Sequence, residues 1–431
     1  MTPTPQVNGI QPLDGIPRVR VEGGSYQRGR QYGAQARARV RRSVQAYQQV
    51  FEYYAGWDWA QVRRAAAGFE APIARFRPAY LEEMRGIAEG AGLDPADVLA
   101  INVRTEVMYA AKARLAPLAP LAPLAPLAPL ADRARPPAEC SSFAIVPQAP
   151  DGKTLIGQNW DWLLHSADTL VLLEVSQDEG PDFVTVVEAG LLAKAGMNAA
   201  GLGLVTNAMV TDADVGAPGL PYHVLLRAMF DCTTVTEALM VLQARERSSS
   251  ANYLIAHASG TALDVEAAPG DFTRLYPLYP DHGLLLHTNH FQAPRSRPSD
   301  PVDLSLWAMP SSAVRLQRLQ AMPPATLDDA RRLLADHADY PYSICAHPEP
   351  GEHPLEQGAT ITSVLMNLTA GQMWVTAGNP CQARYQEVAW PASPAEASPA
   401  DASPADAFPA ETEAKATEDS PAARARWASP V

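Results

Sequence analysis

Two patterns of apolar spacing divide the chain. The first hundred or so residues read mainly as helix, and the region after residue 139 reads as short β-rich runs separated by turn residues. Near the start, Ile16 to Val21 alternates like a short strand, and Gly23-Gly24-Ser25 then opens a helix for which Ser25 is the expected cap. Gly29 and Gly33 recur four apart on that helix, a spacing that lets another backbone approach closely. A second helix is expected from about Ala79 to Gly92, and a third after Asp94-Pro95, with proline at the first helical position. Strands are expected at Ser142–Pro147, Thr154–Trp160, Thr169–Ser176, Phe183–Glu188 and Gly203–Asn207, with Asp151-Gly152 as a hairpin turn. Helices follow near Pro221–Phe230 and Val235–Ala244. Strands then return near Asn252–Ala258, Leu263–Ala267, Gly283–Thr288, Ser363–Asn367 and Gln372–Ala377. Strand, helix and strand blocks in this order predict an α+β protein of packed sheets flanked by helices.

Biased composition sets the boundaries. Leu115 to Ala131 repeats Leu-Ala-Pro, and proline at every third residue rules out a regular membrane helix, so the segment reads as a semi-rigid linker. The end of the chain repeats Ala-Ser-Pro with Asp or Glu and has too few apolar residues to offset chain entropy, so disorder is expected there. The resulting division is a flexible start at 1–13, a mainly helical region at 14–112, a linker at 113–138, a second folded region at 139–390 and a tail at 391–431. Of the 431 residues, 47% are hydrophobic and 19% charged, as in ordinary globular proteins. The net charge of −13 and the lack of a basic patch argue against nucleic acid as a partner. Four cysteines in so long a chain suggest a reducing compartment, and the start carries no secretory pattern, so a cytoplasmic protein is expected. No two cysteines sit at the close spacing of a zinc motif, and no metal is expected.

The chemistry concentrates around Ala138-Glu139-Cys140-Ser141-Ser142, where a cysteine follows the linker and immediately precedes a strand. Cys140 can be read as a buried core residue, as a papain-like nucleophile with a separate histidine base, or as a nucleophile released by cleavage before it. In the third case its own α-amine, with a pKa of about 7.7–8.0, takes the thiol proton. Downstream, Gly157-Gln158-Asn159-Trp160-Asp161-Trp162 puts Asn159 and Asp161 on one face of a strand and Trp160 and Trp162 on the other. Asp161 could orient the Cys140 ammonium or could simply be a turn residue. Asn207, at the end of a strand, and Asn289, in His287-Thr288-Asn289-His290-Phe291, are amide donors suited to an oxyanion. His287 and His290 would face opposite ways on a strand and have no glutamate between them, which argues against zinc there.

These segments, in this order, resemble peptidase family C45, the acyl-coenzyme A:6-aminopenicillanic acid acyltransferase-like group of N-terminal-nucleophile hydrolases. The resemblance includes Gly24-Ser25, Gly29, Gly33 and Leu81 to Gly90 in the N-terminal third, and Thr362-Ser363-Val364 through Trp374-Val375 near the end. It implies a four-layer αββα fold with a helical N-terminal segment, and self-cleavage between Glu139 and Cys140 into an α and a β chain. It also implies acyl transfer or amide hydrolysis through an acyl-cysteine. By position it assigns the nucleophile to Cys140, the amine contact to Asp161, the oxyanion amides to Asn207 and Asn289, and a further site or processing role to Ser363. Asn159, Trp160, Trp162, His290 and Phe291 are the expected substrate-pocket residues. The expected partner is a small amide or thioester, acyl-coenzyme A among them as substrate, with no cofactor and no membrane. Related hydrolases carry an arginine near the last of these strands; Thr362-Ser363-Val364 offers none, so that charge is either absent or supplied elsewhere. Water and an amine are both open as acyl acceptors, and a non-catalytic scaffold with the same fold is the reading from another class.

Overall fold

The computed structural model describes residues 15–115, 139–148, 152–243 and 246–389. The expected flexible start, nearly all of the Leu-Ala-Pro linker, the Asp151 turn position and the tail lie outside the described residues. Seven helices fill the first segment: α1 (Ser25–Gln35), α2 (Arg37–Ala55), α3 (Trp59–Ala67), α4 (Glu70–Phe76), α5 (Pro78–Ala91), α6 (Pro95–Asn102) and α7 (Arg104–Leu115). The last of these carries the helix to Leu115, into what the sequence marks as linker. Local chemistry explains their ends. Asp58 with Gln61, and Asp94 with Asp97, form reciprocal caps that satisfy the first free N–H groups of α3 and α6. Gly24, not Ser25, stands at the start of α1, and no side chain caps it there.

Helices α1 and α5 are joined through reciprocal glycines. A Cβ on Gly29 or Gly33 would lie 2.1 Å from the carbonyl oxygen of Glu83 or Ile87, and one on Gly86 or Gly90 would lie 2.2 Å from that of Tyr26 or Arg30. The two backbones therefore touch directly, as the spacing of Gly29 and Gly33 suggests.

Strands β1 (Arg18–Gly23), β4 (Leu170–Gln177), β5 (Phe183–Glu188), β6 (Ala195–Asn198), β7 (Leu202–Ala208), β8 (Ala251–His257), β9 (Ala262–Ala267) and β10 (Leu275–Leu278) form one sheet in that order. The second sheet has the order β11 (Leu284–His287), β2 (Glu139–Ile145), β3 (Leu155–Leu163), β12 (Gly358–Asn367), β13 (Gln372–Val375) and β14 (Gln386–Val388). Only the β1–β4 pair is parallel among these ladders.

Three apolar interfaces make four layers. Between the sheets, Cys140, Ile156, Trp160, Val364 and Met366 pack against Val184, Val186, Met197, Val205 and Leu254. Outside the larger sheet, helices α1–α7 with α8 (Tyr222–Met229) and α9 (Val235–Gln243) cover residues such as Leu173, Phe183, Leu204 and Tyr253. Outside the smaller sheet, Leu319 of α10 (Ser311–Ala321) and Leu333 and Leu334 of α11 (Leu327–Leu334) cover Phe143, Leu155 and Leu365. The arrangement is the αββα fold. The central strands of the larger sheet are buried on both faces, and Phe183–Glu188 accordingly reads as a nearly continuous apolar run. No helix among the described residues is long and apolar enough to cross a membrane.

Because α1 and α5 meet backbone to backbone, Gly33→Ala must push the helices apart. A loss of about 1–3 kcal/mol in urea unfolding is expected, the usual cost of overpacking a tight contact; an unchanged midpoint would mean that the two helices are not so closely joined.

Candidate functional site

Register places the nucleophile candidate. In the β2–β3 ladder Cys140 lies opposite Trp160, while Glu139 pairs with Asp161 and Ser141 with Asn159. Alternation then sends the Cys140 side chain into the layer between the sheets, beside Trp160. Its neighbours Glu139 and Ser141 face helix α10, where both meet Arg315.

The main chain of Cys140 is gripped on both sides. Its N–H donates to Asn289 Oδ1 at 2.8 Å. Its carbonyl accepts from Asn207 Nδ2 at 3.1 Å and from Arg315 Nη1 at 2.6 Å. Arg315 Nη2 also donates to Asn289 Oδ1 at 2.8 Å, so one guanidinium ties the two grips together. Each asparagine is held in turn. Ser142 Oγ donates to Asn207 Oδ1 at 2.8 Å, and the Asn207 N–H donates to Asn252 Oδ1 at 2.6 Å. Asn289 Nδ2 donates to the Ala208 carbonyl at 2.9 Å, and its N–H donates to Ser312 Oγ at 2.7 Å.

Asp161 is fully enclosed. Its Oδ1 accepts from Thr360 Oγ1 at 2.5 Å, and its Oδ2 has no hydrogen-bond partner. Burial pushes its pKa up to about 7, against the pull of Arg315 and the Thr360 hydroxyl and with a further push from Glu139. Burial raises the Cys140 thiol to about 11, and the largest opposing influence is the charge of Lys194.

Lys194 is buried without an ion-pair partner among the described residues. Its Nζ donates to the Tyr222 hydroxyl at 2.9 Å and lies 5.0 Å from the centre of the Trp160 ring and 4.7 Å from that of Tyr222. Burial lowers its pKa to about 8. Lys194, Trp160, Trp162 and Tyr222 line a cavity of about 110 Å³, closed elsewhere by Tyr47, Phe51, Met108 and Tyr109. Arg104, paired with Glu188 at 2.5 Å, gives this largely apolar chamber a second cation.

The structure thus brings Cys140, Glu139, Asp161, Asn207 and Asn289 to one place, with Trp160 and Trp162 at the adjoining cavity. It puts the others elsewhere. Ser363 lies opposite Asn159 in the β3–β12 ladder and bonds the Tyr385 hydroxyl at 2.7 Å. Asn159 donates to the carbonyls of Leu334 and Ile344, on the outer side of the sheet. His290 follows β11 in a loop, not on a strand, and bonds Ser312 Oγ at 2.7 Å. Phe291 packs with Met209 and Tyr276. None of these four lines the cavity. Asp161 lies within β3, not in a turn.

Two residues escaped the sequence reading. Arg315 comes from helix α10 and sets its guanidinium on the Cys140 carbonyl; on a helix, one arginine among several polar positions is indistinguishable from a solvent-facing one. Lys194 left a faint signal, as a lone charge in the apolar run Leu191 to Met197.

Comparison with known proteins gives concordant relatives. The family "Acyl-coenzyme A:6-aminopenicillanic acid acyl-transferase" matches residues 148–382. The acyl-coenzyme A:6-aminopenicillanic-acid-acyltransferase 40 kDa form of Emericella nidulans is 24% identical over 306 residues, covering 70% of this chain and 76% of that protein. Among solved structures, a mutant conjugated bile acid hydrolase from Clostridium perfringens is 14% identical with a TM-score of 0.37, over 58% of this chain and 98% of that one. Penicillin V acylase from Agrobacterium tumefaciens is 17% identical with a TM-score of 0.30, over 55% and 83%.

The Asp161 carboxyl makes a pH prediction. With a folded pKa of about 7 and an unfolded one of about 3.9, the folded chain keeps a proton that the unfolded chain has released between those values. Stability contributed by this group is complete below about pH 4 and is lost as pH rises to about 7. Asp161→Asn, compared with its parent in a Cys140→Ala background, removes that component. The stability gap in urea melts should widen in favour of asparagine from about pH 4 to about 7 and then stay constant; a gap independent of pH would show an ordinary carboxyl.

Proposed function

The chain belongs to the acyl-coenzyme A:6-aminopenicillanic acid acyl-transferase family, and from this we propose that it cleaves itself before Cys140 and then acts as a cysteine acyltransferase or amidohydrolase on small N-acyl amides or acyl thioesters. The observation that carries this reading is the grip on the main chain of Cys140, whose N–H and carbonyl are both held by side chains, Asn289 on one side and Asn207 with Arg315 on the other. Such a grip keeps the residue in place when the peptide bond ahead of it is gone.

In processing, the Cys140 sulfur attacks the Glu139 carbonyl carbon, the C–N bond breaks, and Glu139 is left as a thioester on sulfur with the Cys140 amine free. Water then releases the Glu139 carboxylate and the thiol. The new amine, with a pKa of about 7.7–8.0, serves as base for the thiol at neutral pH. The unpartnered Asp161 Oδ2 is suited to accept a hydrogen bond from that ammonium. A separate histidine base has less support: His287 is engaged at both ring nitrogens, by Glu266 and the Thr288 carbonyl, and His290 is engaged by Ser312.

In turnover, the sulfur attacks the acyl carbon of substrate, and the amine or thiol of the leaving group takes the proton as the acyl–Cys140 bond forms. Water or an incoming amine then takes the acyl group. Negative charge on the attacked oxygen would be met by the Asn207 amide, whose Nδ2 lies 3.1 Å from the Cys140 carbonyl oxygen. The cavity beside Trp160, about 110 Å³ and mostly apolar but with Lys194 and Arg104 in its lining, suits a small acyl group. Penicillin-type side chains and N-acyl amino acids fall within that class.

Intact-mass spectrometry tests the processing step: the purified protein should yield two fragments meeting at Glu139 and Cys140, and Cys140→Ala should stay whole. If that variant splits at the same bond, self-cleavage by Cys140 is ruled out. For the chemical step, Asn207→Ala should lower kcat about 10²–10³-fold against a penicillin or N-acyl amino acid, and an unchanged rate would remove Asn207 from the oxyanion site.

A further inference from the structure

A second cluster of reactive side chains lies outside the machinery of Cys140. The loop that follows α11 supplies His337, Cys345 and His347, and the turn after β13 supplies Cys381. One ligand atom from each of the four lies within 4.8 Å of all the others. Individual separations are 3.1 Å for His337 Nε2 to His347 Nε2, 3.7 Å for Cys345 Sγ to His347 Nε2, 3.5 Å for Cys381 Sγ to His347 Nε2 and 3.6 Å for Cys345 Sγ to Cys381 Sγ.

Those lengths can be compared with the edges of a coordination tetrahedron. With Zn–S near 2.3 Å and Zn–N near 2.0–2.1 Å, the edges are about 3.8 Å between sulfurs, about 3.6 Å from sulfur to nitrogen and about 3.3 Å between nitrogens. These four of the six edges fall within about 0.3 Å of those values, and the two from His337 to the sulfurs are within 4.8 Å. Two thiolates with two imidazoles are a ligand set that favours zinc over the hard cations, which take oxygen. We infer that His337, Cys345, His347 and Cys381 form a structural zinc site. Binding one Zn²⁺ releases the two thiol protons and leaves a neutral centre with two thiolates and two neutral imidazoles. Four protein ligands close the coordination sphere, so the role is structural and not catalytic.

The surroundings fit a bound thiolate. Asn379 Nδ2 donates to Cys345 Sγ at 3.4 Å and to the Ala346 carbonyl at 2.7 Å, the kind of outer contact that orients a ligand. The same loop reaches the strand that carries Asp161. The Ala346 N–H donates to Thr360 Oγ1 at 3.0 Å, and that hydroxyl donates to Asp161; the Ile344 carbonyl accepts from Asn159 at 2.8 Å. A metal would thus brace the backing of β3. Sequence spacing conceals the set, since His337, Cys345 and His347 form no standard motif and Cys381 lies 36 residues beyond Cys345.

The test is metal analysis of the full-length protein, purified under reducing conditions without chelator. One zinc per chain is expected. Cys381→Ser changes the exposed cysteine of the set and should lose the metal, its affinity in competition with a colorimetric chelator falling by more than the roughly 10–100-fold that outer-shell changes cost. Cobalt(II) exchanged into the wild type should show thiolate-to-metal charge transfer and tetrahedral d–d absorption, both lost in Cys381→Ser and in His337→Asn. The inference is overturned if zinc added to reduced wild-type protein binds no more tightly than to Cys381→Ser. It is also overturned if mass spectrometry finds Cys345 and Cys381 joined as a disulfide in protein prepared with zinc and reductant. Neither readout depends on whether Cys140 cleaves the chain.

Discussion

Much of this molecule rests on the pairing of β2 with β3. That register sets Cys140 against Trp160 and sends its sulfur between the sheets, while Glu139, Ser141, Asn159 and Asp161 turn toward the outer helices. A slip of one residue would exchange the two sets, removing the thiol from Lys194 and burying carboxylates between the sheets. The slip is opposed from several directions, because Asn289, Asn207 and Arg315 come from three different elements and converge on the main chain of one residue.

Buried charge is treated in two ways. Arg104 with Glu188, Arg227 with Asp231, and His287 with Glu266 are paired, which offsets the cost of taking ions out of water. For His287, burial disfavours the imidazolium, yet the carboxylates of Asp264 and Glu266 outweigh it and raise the pKa. Around Cys140 the pairing is incomplete. Asp161 keeps one oxygen without a partner, and Lys194 leans on a phenol and two aromatic rings instead of a carboxylate. Incompletely compensated ionisable groups beside a thiol and a cavity are what reactive sites share, since they hold free energy that a substrate or a new terminus can release.

The outer helical layer next to the smaller sheet does more than cover apolar residues. Helix α10 supplies Arg315, α11 anchors Asn159 through the Leu334 carbonyl, and the loop beyond it reaches Asp161 through Thr360. Strands β2 and β3 are therefore held from the side opposite the cavity, and changes in that loop can reach Asp161 without touching the cavity lining.

The linear order of residues was enough for part of what depends on local period and backbone freedom, though it marked neither Arg37–Ala55 nor Ser311–Ala321 as a helix and placed the cap of α1 one residue late. Phe183–Glu188 is a strand over the residues its apolar run marks, Gly29 and Gly33 admit a second helix, and Cys140 stands at the entry to a strand ahead of Asp161, Asn207 and Asn289. What depends on distant segments meeting could not be read that way. Arg315 looks like any polar helix position until α10 is laid across β2. Ser363 and Asn159 share a sheet face with Asp161, and it is packing that commits them to the Tyr385 hydroxyl and to the carbonyls of Leu334 and Ile344; the two cysteines and two histidines become a set only when a loop and a turn are folded against each other. Period fixes which way a side chain faces within its own element, but only packing decides what it faces.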